Sequence, residues 1–154
     1  MTTRHTWMPS SIWNDPSFRA LTAPAQHLLL LAYTAPTTNQ AGIMDWRPKR
    51  IAALTHGTTQ DEIVVAGQEL DTAGLLIIDP DTEEAGITTW FRTTFILKQP
   101  FVAMNAINLL ADTASLRIRQ AIINELHELN RRQPPLAGLQ TDHAQEFLRE
   151  HPEK

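Results

Sequence analysis

Cationic side chains are the first place to look for chemistry in this chain. Arg47, Lys49 and Arg50 fall within one turn of a predicted helix, around Pro48. Guanidinium and ammonium groups at that spacing suit an anion, above all a phosphate. Backbone amides at the start of the same helix add favourable potential. Arg92 lies on a predicted strand, Arg4 and His5 on the N-terminal lead-in, and Arg117 and Arg119 flank Ile118 on a late helix that Arg131 and Arg132 end. Taken singly, each is a solvated surface charge, and an arginine at a helix C-terminus complements the dipole. The Arg47-Lys49-Arg50 cluster is the group that stands out.

Catalytic groups do not assemble in the same way. The six histidines are His5, His27, His56, His127, His143 and His151, and no pair has metal-ligand spacing on one helix face. There is no cysteine, so neither a disulfide framework nor a thiolate metal site is available. Gly57 and Gly74 stand alone, so no glycine-rich phosphate loop exists. Ser10-Ser11 has no nucleophile context, and Ser115 reads as a helix cap. The expectation is a protein that is not an enzyme and has no metal or cofactor.

The elements that must position the cations read in order. Ala41-Gly-Ile-Met-Asp45 is a short strand. Trp46 to about His56 is a helix, and Gly57-Thr-Thr59 is a turn, with Thr59 capping a helix from Gln60 to Ala73. Leu75 to Ile78 and Ile87 to Leu97 are the strands of a hairpin around the acidic turn Asp79-Pro-Asp-Thr-Glu-Glu84. Helix, turn, helix and hairpin in that order make a winged helix-turn-helix. Ahead of it, Thr22 and Pro24 open an apolar helix that Pro36 to Gly42 ends. Met1 to Phe18 is irregular and too apolar for a free tail. Beyond the hairpin, Phe101 to Asp112 and Thr113 to Arg132 read as two further helices. The fold class is therefore mostly α with a small β hairpin. Residues 1–132 form the winged-helix domain, and 133–154 a polar tail after Gln133-Pro-Pro135, with one loose helix at Asp142 to Glu150.

The second helix of the motif would be the one to enter a groove. Ile63, Ala66, Gly67, Leu70 and Ala73 recur at helical spacing and face the core. Gly67 in mid-helix implies close packing against the preceding helix. Of the outward residues, Gln60 and Gln68 suit base edges, whereas Asp61, Glu62, Glu69 and Asp71 would be repelled by phosphate. The turn of the hairpin is acidic too. The chain as a whole carries 13 Lys and Arg against 17 Asp and Glu, a net charge of −4, which disfavours a non-specific DNA binder that relies on bulk charge.

A series of segments resembles one family. "RHTWMPSSIWNDPSFRALTAPAQHLLLLAYTAP", "RPKRIAAL", "LDTAGLLII" and "FRTTFILKQPFVAMNAI" are similar, in that order, to the N-terminal winged-helix region of phage replisome-organiser or replication-initiator proteins of the actinobacterial phage or prophage type. The similarity spans roughly residues 4 to 130. It rests on the ordered series, since none of its motifs is specific alone. The resemblance implies a winged helix that helps start phage-type replication by binding DNA, replication proteins of phage or host, or both, and it assigns Arg47, Pro48, Lys49 and Arg50 to the family's Pro-Lys-Arg segment. The acidic helix at 60–73 and the end of the chain soon after Pro135 depart from that pattern.

Two readings follow. In the first, the protein is a DNA-binding accessory factor that contacts mainly the phosphate backbone through Arg4, Arg47, Lys49, Arg50, Thr59, Gln60, Gln68 and Arg92. In the second, it is a protein-interaction winged helix with little DNA binding of its own, using Val64 and Val65. The late helix supports either one. Its stripe of Leu116, Ile118, Ile122, Ile123, Leu126 and Leu129 is wider than one packing partner needs, so Ile118, Ile122 and Leu126 would build a homodimer. No apolar run is long enough for a membrane span and no signal pattern opens the chain, so a cytoplasmic protein without membrane contact is expected.

Overall fold

Three short strands organise the chain in its computed structural model, which describes residues 4–132 and 134–154. Met1 to Thr3 of the lead-in and Gln133 of the expected stop lie outside the described residues. The elements run α1 (Pro16–Arg19), α2 (Ala23–Thr34), β1 (Ile43–Asp45), α3 (Pro48–Ala52), α4 (Gln60–Thr72), β2 (Leu76–Asp79), β3 (Glu84–Ile87), α5 (Trp90–Thr93), α6 (Pro100–Ala111), α7 (Leu116–Asn130) and α8 (Asp142–Glu150). Short 3-10 turns at Ser10–Asn14, Ile96–Lys98 and Ala137–Leu139 complete them. The molecule is mostly helical with one antiparallel sheet of order β1-β3-β2. Leu76 pairs with Ile87 across the hairpin, and Ile43 with Gly86 on the other side of β3.

Local sequence explains the helix that matters most here. Thr59 and Glu62 form a reciprocal capping box at the start of α4. Its end is closed by the Leu75 N–H donating to the Leu70 carbonyl at 3.0 Å, with Gly74 left-handed beside it. Ile63, Ala66, Gly67 and Leu70 face inward as the spacing predicts. At Gly67 a Cβ atom would stand 2.6 Å from the Trp46 ring and 2.7 Å from Ile78. The bare backbone lets the indole and the first hairpin strand meet the helix together.

The late helices cover the sheet. α7 packs on β2, β3, α5 and α8. A Cβ at Gly86, in the central strand, would collide with Ile118, so the missing side chain is what admits α7. Ile118, Ile122, Ile123, Leu126 and Leu129 are all buried within one chain, and only Leu116 of the stripe is exposed. The expected dimer surface at Ile118, Ile122 and Leu126 is thus corrected: these residues are core. Ile118 and Ile122 face the sheet at Gly86, and α8, whose Ala144, Phe147 and Leu148 are buried, packs on α6 and α7. The helix expected as loose at 142–150 is packed, and three longer helices rather than two follow the hairpin.

Two other expectations are corrected. The second hairpin strand does not run from Ile87 to Leu97 but ends at Ile87, and α5 follows. Trp90 and Phe91 are adjacent and both buried on this helical turn. Tyr33 fixes that turn from α2, its hydroxyl lying 3.1 Å from Thr89 Oγ1 and 2.7 Å from Thr93 Oγ1. The Trp90 indole stacks on Tyr33 and donates to the Gln40 carbonyl at 2.8 Å. The helix expected from Trp46 to about His56 is only Pro48–Ala52, because Trp46 is extended and buried against α4.

The Gly67 contact makes a direct prediction. Gly67→Ala gains about 1 kcal/mol of helix propensity but overpacks the Trp46 ring at about 1–3 kcal/mol. A net loss of about 1 kcal/mol is expected, read as a lower urea midpoint at unchanged slope. A raised midpoint would show that the ring gives way freely.

Candidate nucleic-acid interface

A shallow cleft of about 270 Å³ runs between α4 and the hairpin. Val64, Gln68, Asp71 and Thr72 line it from the helix, and Ile78 and Pro80 from the hairpin, with Trp46 in its wall. The Trp46 amide donates to the Glu83 carbonyl at 2.8 Å, which ties the exit of β1 to the hairpin turn. Glu83 itself has a left-handed backbone, φ 56°, an uncommon conformation for a residue with a side chain.

The carboxylates of α4 are mostly turned to internal work. Glu62 accepts from the Thr59 amide in the capping box, at 3.3 Å. Glu69 reaches α2, where it accepts from the Thr22 amide at 2.8 Å and from the Thr22 hydroxyl at 2.7 Å. It therefore supplies the cap that the Thr22 side chain does not. Asp71 accepts from the Ile78 amide at 2.9 Å and binds the Arg117 guanidinium in a two-pronged pair at 2.6 and 3.0 Å. Burial raises the Asp71 carboxyl, but the Arg117 hydrogen bond, the Ile78 amide and the Arg117 charge outweigh it and hold the group below its ordinary value. Among the described residues, Asp61 is the one carboxylate of α4 with no hydrogen bond or ion pair in the chain.

The hairpin turn is engaged in the same manner. Glu84 accepts from the Ser115 amide at 2.8 Å and the Ala114 amide at 3.3 Å, so it caps the approach to α7. Asp79 accepts from the Asp81 amide at 3.1 Å. Hydrogen bonding from Ser115 leads the influences that depress its carboxyl pKa. Glu83 lies 3.6 Å from Arg47. Asp81 is exposed at the tip.

The expected cations divide. Lys49 and Arg50 are exposed and make no ion pair among the described residues. Arg47 is the residue before α3 and is half-buried, with its Nε shielded and without a hydrogen-bond partner. Arg92, expected on the hairpin strand, sits on α5 and pairs with Glu125 at 2.6 Å. Arg4 donates to the Thr38 carbonyl and, at 2.8 Å, to the Ala35 carbonyl, which fastens the lead-in to the end of α2. Arg4 and Arg92 are thus engaged within the chain, whereas Lys49 and Arg50 are not. With only five residues in α3, the helix-dipole contribution expected around Arg47 is small.

The remaining expected residues keep a shared surface. Gln60 and Gln68 are exposed on α4, Thr59 caps the helix, Val64 is half-buried in the cleft and Val65 is 63% exposed. α3 packs directly against α4, so Lys49 and Arg50 belong to the same two-helix unit. No local pattern links Glu69 with Thr22, Asp71 with Arg117 or Glu84 with Ser115, because each pair joins distant segments.

Comparison of the chain with family models, curated proteins and solved structures gave no match. Among the described residues no helix is long and apolar enough to cross a membrane.

The Asp71 contacts predict an acid dependence. A carboxyl depressed on folding contributes stability that is present above its unfolded value, near 3.8, and is lost as pH falls through the folded one. Asp71→Asn should lower stability at neutral pH and flatten the fall below about pH 4. Parallel urea midpoints across the acid range, for both proteins, would show that the carboxylate carries no such linkage.

Proposed function

We propose that the chain is a winged helix-turn-helix DNA-binding accessory protein that contacts mainly the phosphate backbone, and that it acts in the initiation of phage-type replication or its regulation. The observation that carries the DNA reading is the commitment of Glu69 and Asp71 to partners inside the chain. Asp71 is paired with a cation, while Asp61 and Glu62 stay exposed at the start of the helix, so α4 offers outward Gln60, Val64, Val65, Gln68 and Thr72 beside those two carboxylates. That surface meets a groove at lower electrostatic cost than four free carboxylates would. The order helix, strand, helix, turn, helix, hairpin, with β1 beside β3, supports the winged-helix reading. The replication context and a cytoplasmic setting rest on the family resemblance of the sequence segments.

In this reading Lys49 and Arg50 hold phosphates, Gln60 and Thr59 lie at the start of the helix that approaches the duplex, and Gln68 reaches into the groove. Few cations are available, so binding is weak and nearly independent of sequence. A second reading is favoured by one feature. Val65 on α4 and Leu54 after α3 are 63% and 59% exposed, an apolar pair on the helix-turn-helix unit that a protein partner, such as a replication protein of phage or host, would cover.

The two readings part on salt. The double variant Lys49→Ala with Arg50→Ala should weaken duplex binding about equally over unrelated sequences and reduce the salt slope by about one unit per lost contact. Asp61→Asn should strengthen binding. An unchanged affinity in both variants, or no duplex binding at low salt, would leave the protein-interaction reading in its place.

A further inference from the structure

A second pocket lies away from the α4 cleft, between the lead-in and the segment after α5. It measures about 240 Å³ and is lined by Trp7, His5, Gln40, Trp90, Phe95 and Gln99, among others. We infer that this pocket binds an unpaired nucleobase with its phosphate, the repeating unit of a single strand, by stacking it on Trp7. This goes beyond duplex contact and uses residues that the duplex reading does not.

Three observations point to that ligand. First, Trp7 is 64% exposed yet held in place. Phe95 meets it in a T-shaped arrangement at 4.9 Å and 71°, and most of the indole surface stays exposed. The lead-in that carries it is fastened by Arg4 to the Ala35 and Thr38 carbonyls. An exposed tryptophan in a fixed orientation is a stacking platform for a flat aromatic group. Second, the polar groups around it match a base edge. Asn39 Oδ1 already accepts from the Ala41 and Ile43 amides, which turns its NH2 group outward as a donor. The side chains of Gln40 and Gln99 make no hydrogen bond among the described residues, so amide donors and acceptors remain for the ring. Third, the charge is right. No Asp or Glu lines the pocket in a chain whose net charge is −4, while His5 and Arg4 do line it. Lys98 Nζ stands 4.3 Å from the centroid of the Phe95 ring, itself a lining residue, and adds a cation near the pocket. The volume suits one ring system rather than a larger cofactor.

The test is fluorescence anisotropy of a labelled oligo-dT of about 15 nucleotides at low salt, a length typical of non-specific single-strand sites. Saturable binding with quenching of tryptophan emission is expected. Trp7→Ala should weaken it about 5- to 100-fold, and Trp7→Phe should restore part of the loss. Gln99→Glu places a carboxylate at the pocket without removing a core contact, and it should weaken binding as well. Trp7→Ala should leave duplex affinity unchanged while it weakens oligo-dT binding, so failure here is separable from failure of the duplex reading. Competition by the mononucleotide dTMP at equal concentration would assign the same pocket to a free nucleotide; competition only by the oligonucleotide assigns it to a strand. Absence of oligo-dT and dTMP binding at low salt, or equal affinity for wild type, Trp7→Ala and Gln99→Glu, would overturn the inference.

Discussion

The contact of Trp46 and Ile78 with the bare backbone of Gly67 sets the geometry on which the rest depends. A helix that carried a side chain there would stand further from both the β1 exit and the hairpin. Because it does not, one indole links the end of β1, the middle of α4 and the first hairpin strand. The cleft between helix and hairpin takes its wall from this ring. The Trp46 amide then holds the hairpin turn by the Glu83 carbonyl. The orientation of the outward face of α4 relative to the hairpin follows from this single packing point.

Around it, charge is used to join elements. Glu69 caps α2 from α4, Asp71 joins α4 to β2 and to Arg117 of α7, and Glu84 caps the approach to α7 from β3. Arg92 joins α5 to α7 through Glu125, and Arg131 reaches Glu153 beyond α8. Exposed ion pairs of this sort contribute little singly. Backbone amides satisfied at helix starts and at the strand edge contribute more, since those donors have no partner within their own element. The consequence for function is that the acidity of α4 is concentrated at its start: Asp71 is paired with Arg117 and Glu69 is held on α2, while Asp61 and Glu62 stay exposed beside Gln60, Val65 and Gln68.

Much of this was legible in the sequence, and the part that was not has a common cause. The Thr59 capping box, the stop at Gly74, the inward face of α4 and the bounds of α8 follow from local rules. The close approach at Gly67 was also readable, although its partner proved to be Trp46 and Ile78. The run from Ile87 to Leu97 is rich in threonine and aromatic residues and reads as strand. It becomes a helical turn because Tyr33 binds Thr89 and Thr93 from a helix far away in the chain. Ile118, Ile122 and Leu126 looked like surplus surface because the bare backbone of Gly86, which lets α7 settle onto the sheet through Ile118 and Ile122, lies far away in the chain, and because the polar α8 was not expected to pack. At the site, Lys49, Arg50, Gln60 and Gln68 kept the exposure expected of them, while Arg4 and Arg92 found partners that no spacing rule connects.

The central claim is that duplex DNA meets the outer face of α4 together with Lys49 and Arg50. Amide chemical-shift mapping of the labelled protein, titrated with a short duplex at low salt, tests it most directly. The account predicts shifts concentrated at Lys49, Arg50, Gln60, Asp61, Val64 and Gln68, with Arg92 and the buried face of α7 unmoved. Shifts confined to α6 to α8, or none at all at saturating duplex, would contradict it.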